Sequence, residues 1–191
     1  LFSLFGKSLR KLNGLFSSIT VYNSIKKKTH MKIPKNLEPI ISGISASIVI
    51  SILAFLTLHT SAGAWLMFSF GATVFLVFVL YKLETAQPKN IFFGHLISIL
   101  VGIIFNKTIG FSFLSLGLSV GVAVALMVYL KVMHPPAASN PLVALFMDSS
   151  FDFVLFPVIT GTTVIILLAI LINRIILKRN YPIKGLNLKK R

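Results

Sequence analysis

Two histidines, His95 and His134, stand in or beside stretches that carry no charged residue. An ionisable side chain inside an apolar run of membrane length marks a functional site by default. An imidazole there donates to an anion, or carries a proton coupled to the movement of one. For each histidine alone, a plain hydrogen bond to a neighbouring carbonyl explains the position equally well. As a pair beside two helix breaks, they point to function. His59 falls at a segment end and reads as interfacial. A metal site is not expected, because no third or fourth ligand accompanies the two imidazoles. Cysteine is absent, which excludes disulfides, thiolate ligation and thiol redox chemistry. There is no Ser-His-acid order, no paired carboxylates and no phosphate-cradling glycine loop, so neither enzymatic activity nor a cofactor is expected.

The remaining candidates are short polar or small residues. His134-Pro135-Pro136 cannot continue a helix, since adjacent prolines remove two donors and clash with the preceding turn. Pro136-Ala137-Ala138-Ser139 and Asn140 follow it, and Ser69-Phe70-Gly71-Ala72-Thr73 forms a similar small-residue cluster earlier. Breaks of this kind expose the N-termini of half-helices, whose N–H groups and positive dipole ends attract anions without any buried Lys or Arg. The expected donors are the backbone N–H groups of Gly71, Ala72, Ala137 and Ala138. The plainer account of Ser69, Thr73, Ser139 and Asn140 is that they satisfy backbone groups freed at the breaks. Gln87 and Asn90, in the polar loop that opens a helix, serve either a substrate or the fastening of that loop against Arg174.

The elements that must position these residues follow from composition. The chain has 191 residues, of which 55% are hydrophobic and 12% charged, with a mean hydropathy of +0.90. A soluble domain of that size cannot cover such a surface, so the fold class is all-α, a polytopic transmembrane helical bundle whose main partner is the lipid bilayer. Apolar segments lie at about 40–58, 65–81, 91–105, 111–130 and 153–172, each read as a span of roughly 30 Å of hydrocarbon. The segment 137–147 is apolar but too short to cross at about 1.5 Å per residue. Residues 1–38 form a basic lead, of which 1–30 read either as lying outside the functional core or as a weakly amphipathic surface helix, 39–182 the transmembrane domain, and 183–191 a basic tail. The net charge of +15 sits at segment ends and in the two tails, which does not match a nucleic-acid footprint. It fits retention of Lys and Arg on the cytoplasmic side, with both termini inside, as for a bacterial inner-membrane protein. Two inside termini require an even number of crossings, and counting 137–147 as a broken one gives six. Five crossings with a re-entrant dip are the alternative, and a homo-oligomer stays open.

Six crossings divide into two sets of three, and a three-helix unit repeated in tandem is inverted in the membrane. The order of signals matches between halves. Phe70–Thr73, an apolar run, a polar loop, Pro88 and Gly94 are answered by Pro136–Ser139, an apolar run, a polar loop, Pro157 and Gly161. Small residues that merely allow close helix packing give the same pattern.

Taken together, Ser69-Phe70-Gly71-Ala72-Thr73, Ala86-Gln87-Pro88-Lys89-Asn90 with Gly94-His95, His134-Pro135-Pro136-Ala137-Ala138, and Asn173 with Tyr181-Pro182 resemble the HPP family of integral membrane proteins. The resemblance covers about 39–182. It implies a compact membrane domain, and members in cyanobacteria and plastids are associated with nitrite transport. Ser139-Asn140-Pro141 and Phe92-Phe93 depart from the family pattern, and the extra Pro141 bears on the short helix and on substrate choice. The reading is therefore transport of a small inorganic anion, nitrite foremost, through a midplane site at the helix breaks. The alternative is a non-transporting membrane scaffold that docks a partner on its basic tails.

Overall fold

The computed structural model describes residue 34, residues 36–61 and residues 63–183. All but Pro34 belong to one compact unit, Lys35–Arg191. The readings made of 1–30 and of the basic run after Ile183 fall outside the described residues. No strand occurs among the described residues. The helices are α1 (Glu38–His59), α2 (Ser69–Val79), α3 (Pro88–Thr108), α4 (Phe113–Tyr129), α5 (Asn140–Phe146) and α6 (Thr160–Leu171). α6 is flanked by π-helical turns at Val154–Ile159 and Ile172–Ile176. Short 3₁₀ turns at Glu84–Ala86 and Pro135–Ser139 precede α3 and α5. Three helical stretches, Glu38–His59, Pro88–Thr108 and Val154–Ile176, are long and apolar enough to cross a membrane. α2 and α4 are shorter and apolar.

Local chemistry sets most of the boundaries. Pro88 occupies the first turn of α3, where its missing N–H costs nothing. Ser112 and Ser115 cap α4 reciprocally, each side chain accepting the other's backbone N–H. The second span differs from the sequence expectation. It was expected to be helical from about 65, but α2 begins at Ser69, because the Thr57 hydroxyl accepts the amides of Trp65 (2.9 Å) and Leu66 (3.1 Å). The Trp65 indole donates to Thr60 as well, which ties the preceding chain to the end of α1. The segment 137–147 is likewise not one helix. Its first residues complete the Pro135–Ser139 turn, and α5 that follows has only seven residues.

In lipid the hydrocarbon gives no hydrophobic drive for helix association, so close packing and hydrogen bonds must supply it. α3 supplies both on one face, at Asn90, Gly94, Ser98 and Gly102, spaced one per turn. The Asn90 amide donates to the Met133 carbonyl at 3.0 Å, and Ser98 donates to the Ala137 carbonyl. A Cβ on Gly94 would lie 2.7 Å from the His134 Cβ, and one on Gly102 would lie 2.6 Å from the Pro141 Cα. The second break is thus laid along α3. The first break lies on the last helix in the same way. A Cβ on Gly161 would meet the Trp65 carbonyl at 2.6 Å and clash with the Phe70 ring. Further along the same face, Asn173 donates to the Val77 carbonyl at 3.1 Å. Each break therefore packs on the long helix of the other half of the chain.

At one end of the bundle the Asp148 carboxylate accepts from Asn106 at 2.8 Å and from Lys107 at 3.3 Å. These bonds, that of Asn106 first, hold the Asp148 carboxyl below its usual range. The contribution is present above the ordinary carboxylate pKa and disappears as the pH falls through the lowered value. Two predictions follow from the packing and from this pair. Gly102→Ala and Gly161→Ala each lower thermal stability in detergent by about 1–3 kcal/mol through overpacking, whereas Gly121→Ala, which meets no atom within 4 Å, does not. The small stability difference between wild type and Asp148→Asn, read by the same melt, is present at neutral pH and gone in strong acid.

Candidate functional site

The two breaks meet at a buried polar cluster. Thr73, in the second turn of α2, presents its hydroxyl to both histidines, with His95 Nε2 and His134 Nε2 each at 2.9 Å. His134 Nδ1 lies 2.6 Å from the Thr85 carbonyl in the turn before α3. His95 Nδ1 lies 2.9 Å from Asn140 Nδ2 at the start of α5. Thr73, His95 and Asn140 are fully buried and His134 is 1% exposed. The imidazole centroids are 4.9 Å apart, and the Phe70 ring stands edge-on to His95 at 5.3 Å. Four separate elements converge here, and the hydrogen-bonded network takes one side chain from each.

The partners fix the direction of every bond when both imidazoles are neutral. A carbonyl only accepts, so His134 Nδ1 carries a proton and His134 Nε2 accepts from the Thr73 hydroxyl. The Thr73 oxygen then accepts from His95 Nε2, and His95 Nδ1 accepts from the Asn140 amide. The same Asn140 nitrogen reaches the His95 carbonyl at 3.2 Å, which orients the amide. The cluster also has room for one more proton. With a proton on His134 Nε2, the Thr73 oxygen accepts from both imidazoles and its hydrogen turns to the Ser69 carbonyl, 3.2 Å away. No hydrogen bond is lost in the exchange.

Beside this cluster lies a cavity of about 520 Å³, open at the surface where Phe68, Phe146 and Met147 are exposed, lined also by Ser69, Ala72, Pro135, Pro136 and Ser139, with α5 forming the far wall. None of its lining residues is charged. The Ser69 hydroxyl is buried next to it without a hydrogen-bond partner, and so is the Asn140 carbonyl oxygen. Of the residues singled out from sequence, Ser69, Ala72, Pro135, Pro136 and Ser139 line the cavity, while Phe70, Thr73, His95, His134 and Asn140 form the cluster behind it. Ala137 is buried against Ser98, and Ala138 is half-buried in the turn between them.

Three expectations are corrected. Gly71 faces the opposite way, into the groove between α1 and α2 with Ser42, Gly43 and Phe75. The bare amides expected at Gly71 and Ala137 are occupied, Gly71 donating to the Phe68 carbonyl at 3.2 Å and Ala137 to the His134 carbonyl at 2.9 Å. These tight turns satisfy donors that a clean helix start would leave free. Gln87 and Asn90 fasten backbone, and neither lines the cavity. Gln87 donates to the Tyr81 and Leu83 carbonyls and accepts from the Ile183 amide, and Arg174 donates to the Tyr181 carbonyl instead of meeting the loop.

Sequence reasoning gave no role to Thr85, Ser98 or Tyr181. Tyr181 is fully buried and its phenol donates to the Ala86 carbonyl at 2.8 Å. Burial pushes that phenol above its ordinary pKa, so it remains a donor throughout the physiological range. Ser98 was findable, because Gly94, Ser98 and Gly102 repeat every four residues in an otherwise bulky helix.

A bundle of long apolar helices with two interrupted ones meeting at a buried polar cluster defines an integral membrane protein. Residues 31–182 match the family described as HPP, transmembrane region, and the chain belongs to that family. Two proteins of Dictyostelium discoideum, each described as a transmembrane protein, are similar to it. One is 27% identical over 123 residues, covering 60% of this chain and 43% of the relative. The other is 29% identical over 127 residues, covering 62% and 41%. The chain thus spans less than half the length of these curated relatives. No solved structure matches it.

Removing the Thr73 hydroxyl leaves two buried imidazole nitrogens short of a partner. Thr73→Val is expected to cost about 1–3 kcal/mol in detergent melts, and Thr73→Ser to restore most of it. Equal stability of Val and Ser variants contradicts the network.

Proposed function

We propose that this membrane protein carries a small inorganic anion, nitrite foremost, together with a proton, through the cavity where its two broken helices meet, and that it performs no enzymatic chemistry. The observation that carries the reading is the juxtaposition of an uncharged cavity with a Thr73-centred imidazole pair able to hold one further proton. An anion entering such a cavity loses its hydration, and no cationic side chain lines the walls to replace it. A proton on His134 supplies that charge. The Ser69 hydroxyl, which lacks a partner, supplies a donor, and the N-terminal end of the 11-residue α2 adds a positive dipole end. The reading thus moves recognition from bare amides to a hydroxyl, a helix dipole and a carried proton.

The proposed site is the midplane of two inverted three-helix units in a bacterial inner membrane, both termini cytoplasmic. Supporting this, Lys82, Lys89, Lys131, Arg174, Lys178 and Arg179 lie at the ends of α2, α4 and α6 and at the start of α3. The opposite ends carry Lys107, in the last turn of α3, and Asp148 and Asp152 in the segment after α5. This is the asymmetry that retains a basic face inside.

The test is uptake into proteoliposomes containing the purified chain, with nitrate, formate, bicarbonate and chloride as competitors of nitrite. Saturable nitrite uptake stimulated by an inward proton gradient is expected. Ala72→Leu, which fills the cavity, abolishes it, and Gly71→Leu, which points into the other groove, leaves it intact. His134→Ala removes the proton dependence. Absence of saturable flux of any of these anions overturns the reading.

A further inference from the structure

The segment following the last helix, residues 177–183, is folded back onto the bundle by a dense set of bonds. The Arg179 guanidinium donates to the Phe78 carbonyl at 2.6 Å, pairs with Glu38 at 2.5 Å and stands over the Tyr81 ring at 4.7 Å. Its own amide donates to the Asn173 carbonyl at 2.7 Å. Arg174 Nε holds the Tyr181 carbonyl at 2.8 Å, and the Ile183 amide donates to Gln87 Oε1 at 2.9 Å. Loose surface chain would make none of these contacts and would not bury a tyrosine completely.

The target of Tyr181 is informative. Its phenol bonds the carbonyl of Ala86, and the preceding carbonyl, Thr85, accepts from His134 Nδ1. Two consecutive carbonyls of the Glu84–Ala86 turn are therefore held from two sides, one by the strap and the other by the imidazole at the site. The turn has three residues and no side-chain cap, and within it only two backbone bonds, Ala86 N–H to the Leu83 carbonyl at 3.2 Å and Gln87 N–H to the Glu84 carbonyl at 3.0 Å, hold its peptide planes. The Thr85 carbonyl is also what assigns the proton to His134 Nδ1 and leaves Nε2 to accept from Thr73. Whatever holds the turn holds the proton on the nitrogen that faces the turn and leaves the one that faces Thr73 to accept.

We infer that the 177–183 strap is a latch whose Tyr181 acts, through the Glu84–Ala86 turn, as a positioning residue that sets the ring tautomer of His134. This inference rests on the proposed role of His134 in carrying a proton only for its consequence in transport, since the tautomer itself is observable without flux. With the latch closed, His134 Nε2 is free to receive a proton from the Thr73 side. With it released, the turn loses the Tyr181 anchor on the Ala86 carbonyl, and the adjoining Thr85 carbonyl is held less firmly as acceptor of the Nδ1 proton.

The experiment is ¹⁵N NMR of histidine-labelled, full-length chain in lipid bilayers, with His134 assigned by its absence in His134→Gln. The wild type is expected to show a protonated Nδ1 and an unprotonated Nε2. Tyr181→Phe keeps the ring packing and deletes only the hydroxyl, and is expected to give a mixture of the two tautomers. Arg174→Gln, which frees the Tyr181 carbonyl, is expected to move the signal in the same direction. Lys178→Ala, at an exposed strap position, leaves it in place. An unchanged His134 spectrum in both Tyr181→Phe and Arg174→Gln overturns the latch, whatever the flux. A shifted spectrum in a chain that passes no anion preserves the latch and counts against the transport reading alone.

Discussion

A helix that breaks inside hydrocarbon must find partners for the backbone groups it releases, and the whole arrangement of this chain answers that requirement. Water is not available there, and each unsatisfied group costs several kcal/mol. The first break is satisfied by the hydroxyl of Thr57 and seated against Gly161. The second is laid along the small face of α3, with Asn90 and Ser98 accepting the task of donating to its carbonyls. Because each break is supported by a helix from the other half, neither can be stable without both halves assembled. Thr73 then joins the two breaks to each other through one hydroxyl shared by two imidazoles.

That shared hydroxyl gives the site its chemical character. A threonine oxygen can donate once and accept twice, so it can stand between two imidazoles in more than one protonation pattern without forfeiting a bond. Fixed anchors surround it. Asn140 orients His95, the Thr85 carbonyl orients His134, and Gly94 allows the His134 backbone to approach α3 more closely than any side chain would permit. The cavity next door is largely apolar and carries no charged lining residue.

Much of this was legible in the residues. Uninterrupted apolar runs gave the three helices long enough to cross a membrane, while two further runs read as spans form the shorter α2 and α4; His134-Pro135-Pro136 gave the second break, and the isolation of His95 and His134 among apolar neighbours marked them as a pair. What escaped depended on contacts that periodicity cannot encode. Nothing in the run from Trp65 to Ser69 says that a threonine eight residues earlier will capture two of its amides and delay the helix. The placing of Gly71 in the α1–α2 groove follows from that delay, since a change of start position alters which neighbour each face meets. The role of Tyr181 depends on a chain reversal after α6, and the basic residues around it gave only a topological signal. Their hydrogen bonds to Phe78, Tyr181 and Glu38 are specific, yet in sequence they read as generic positive charge.

The central claim, that the two breaks face each other across one cavity in the membrane, is most directly tested by cross-linking. The chain lacks cysteine, so the double variant Ala72→Cys with Ser139→Cys introduces the only thiols, one on each break. In native membranes a short bifunctional thiol reagent is expected to join them within a single chain, and a matched pair of Gly71→Cys with Ser139→Cys is expected to react far less. Failure of the Ala72–Ser139 pair to cross-link while both thiols are freely alkylated, or equal cross-linking through Gly71, would contradict the account.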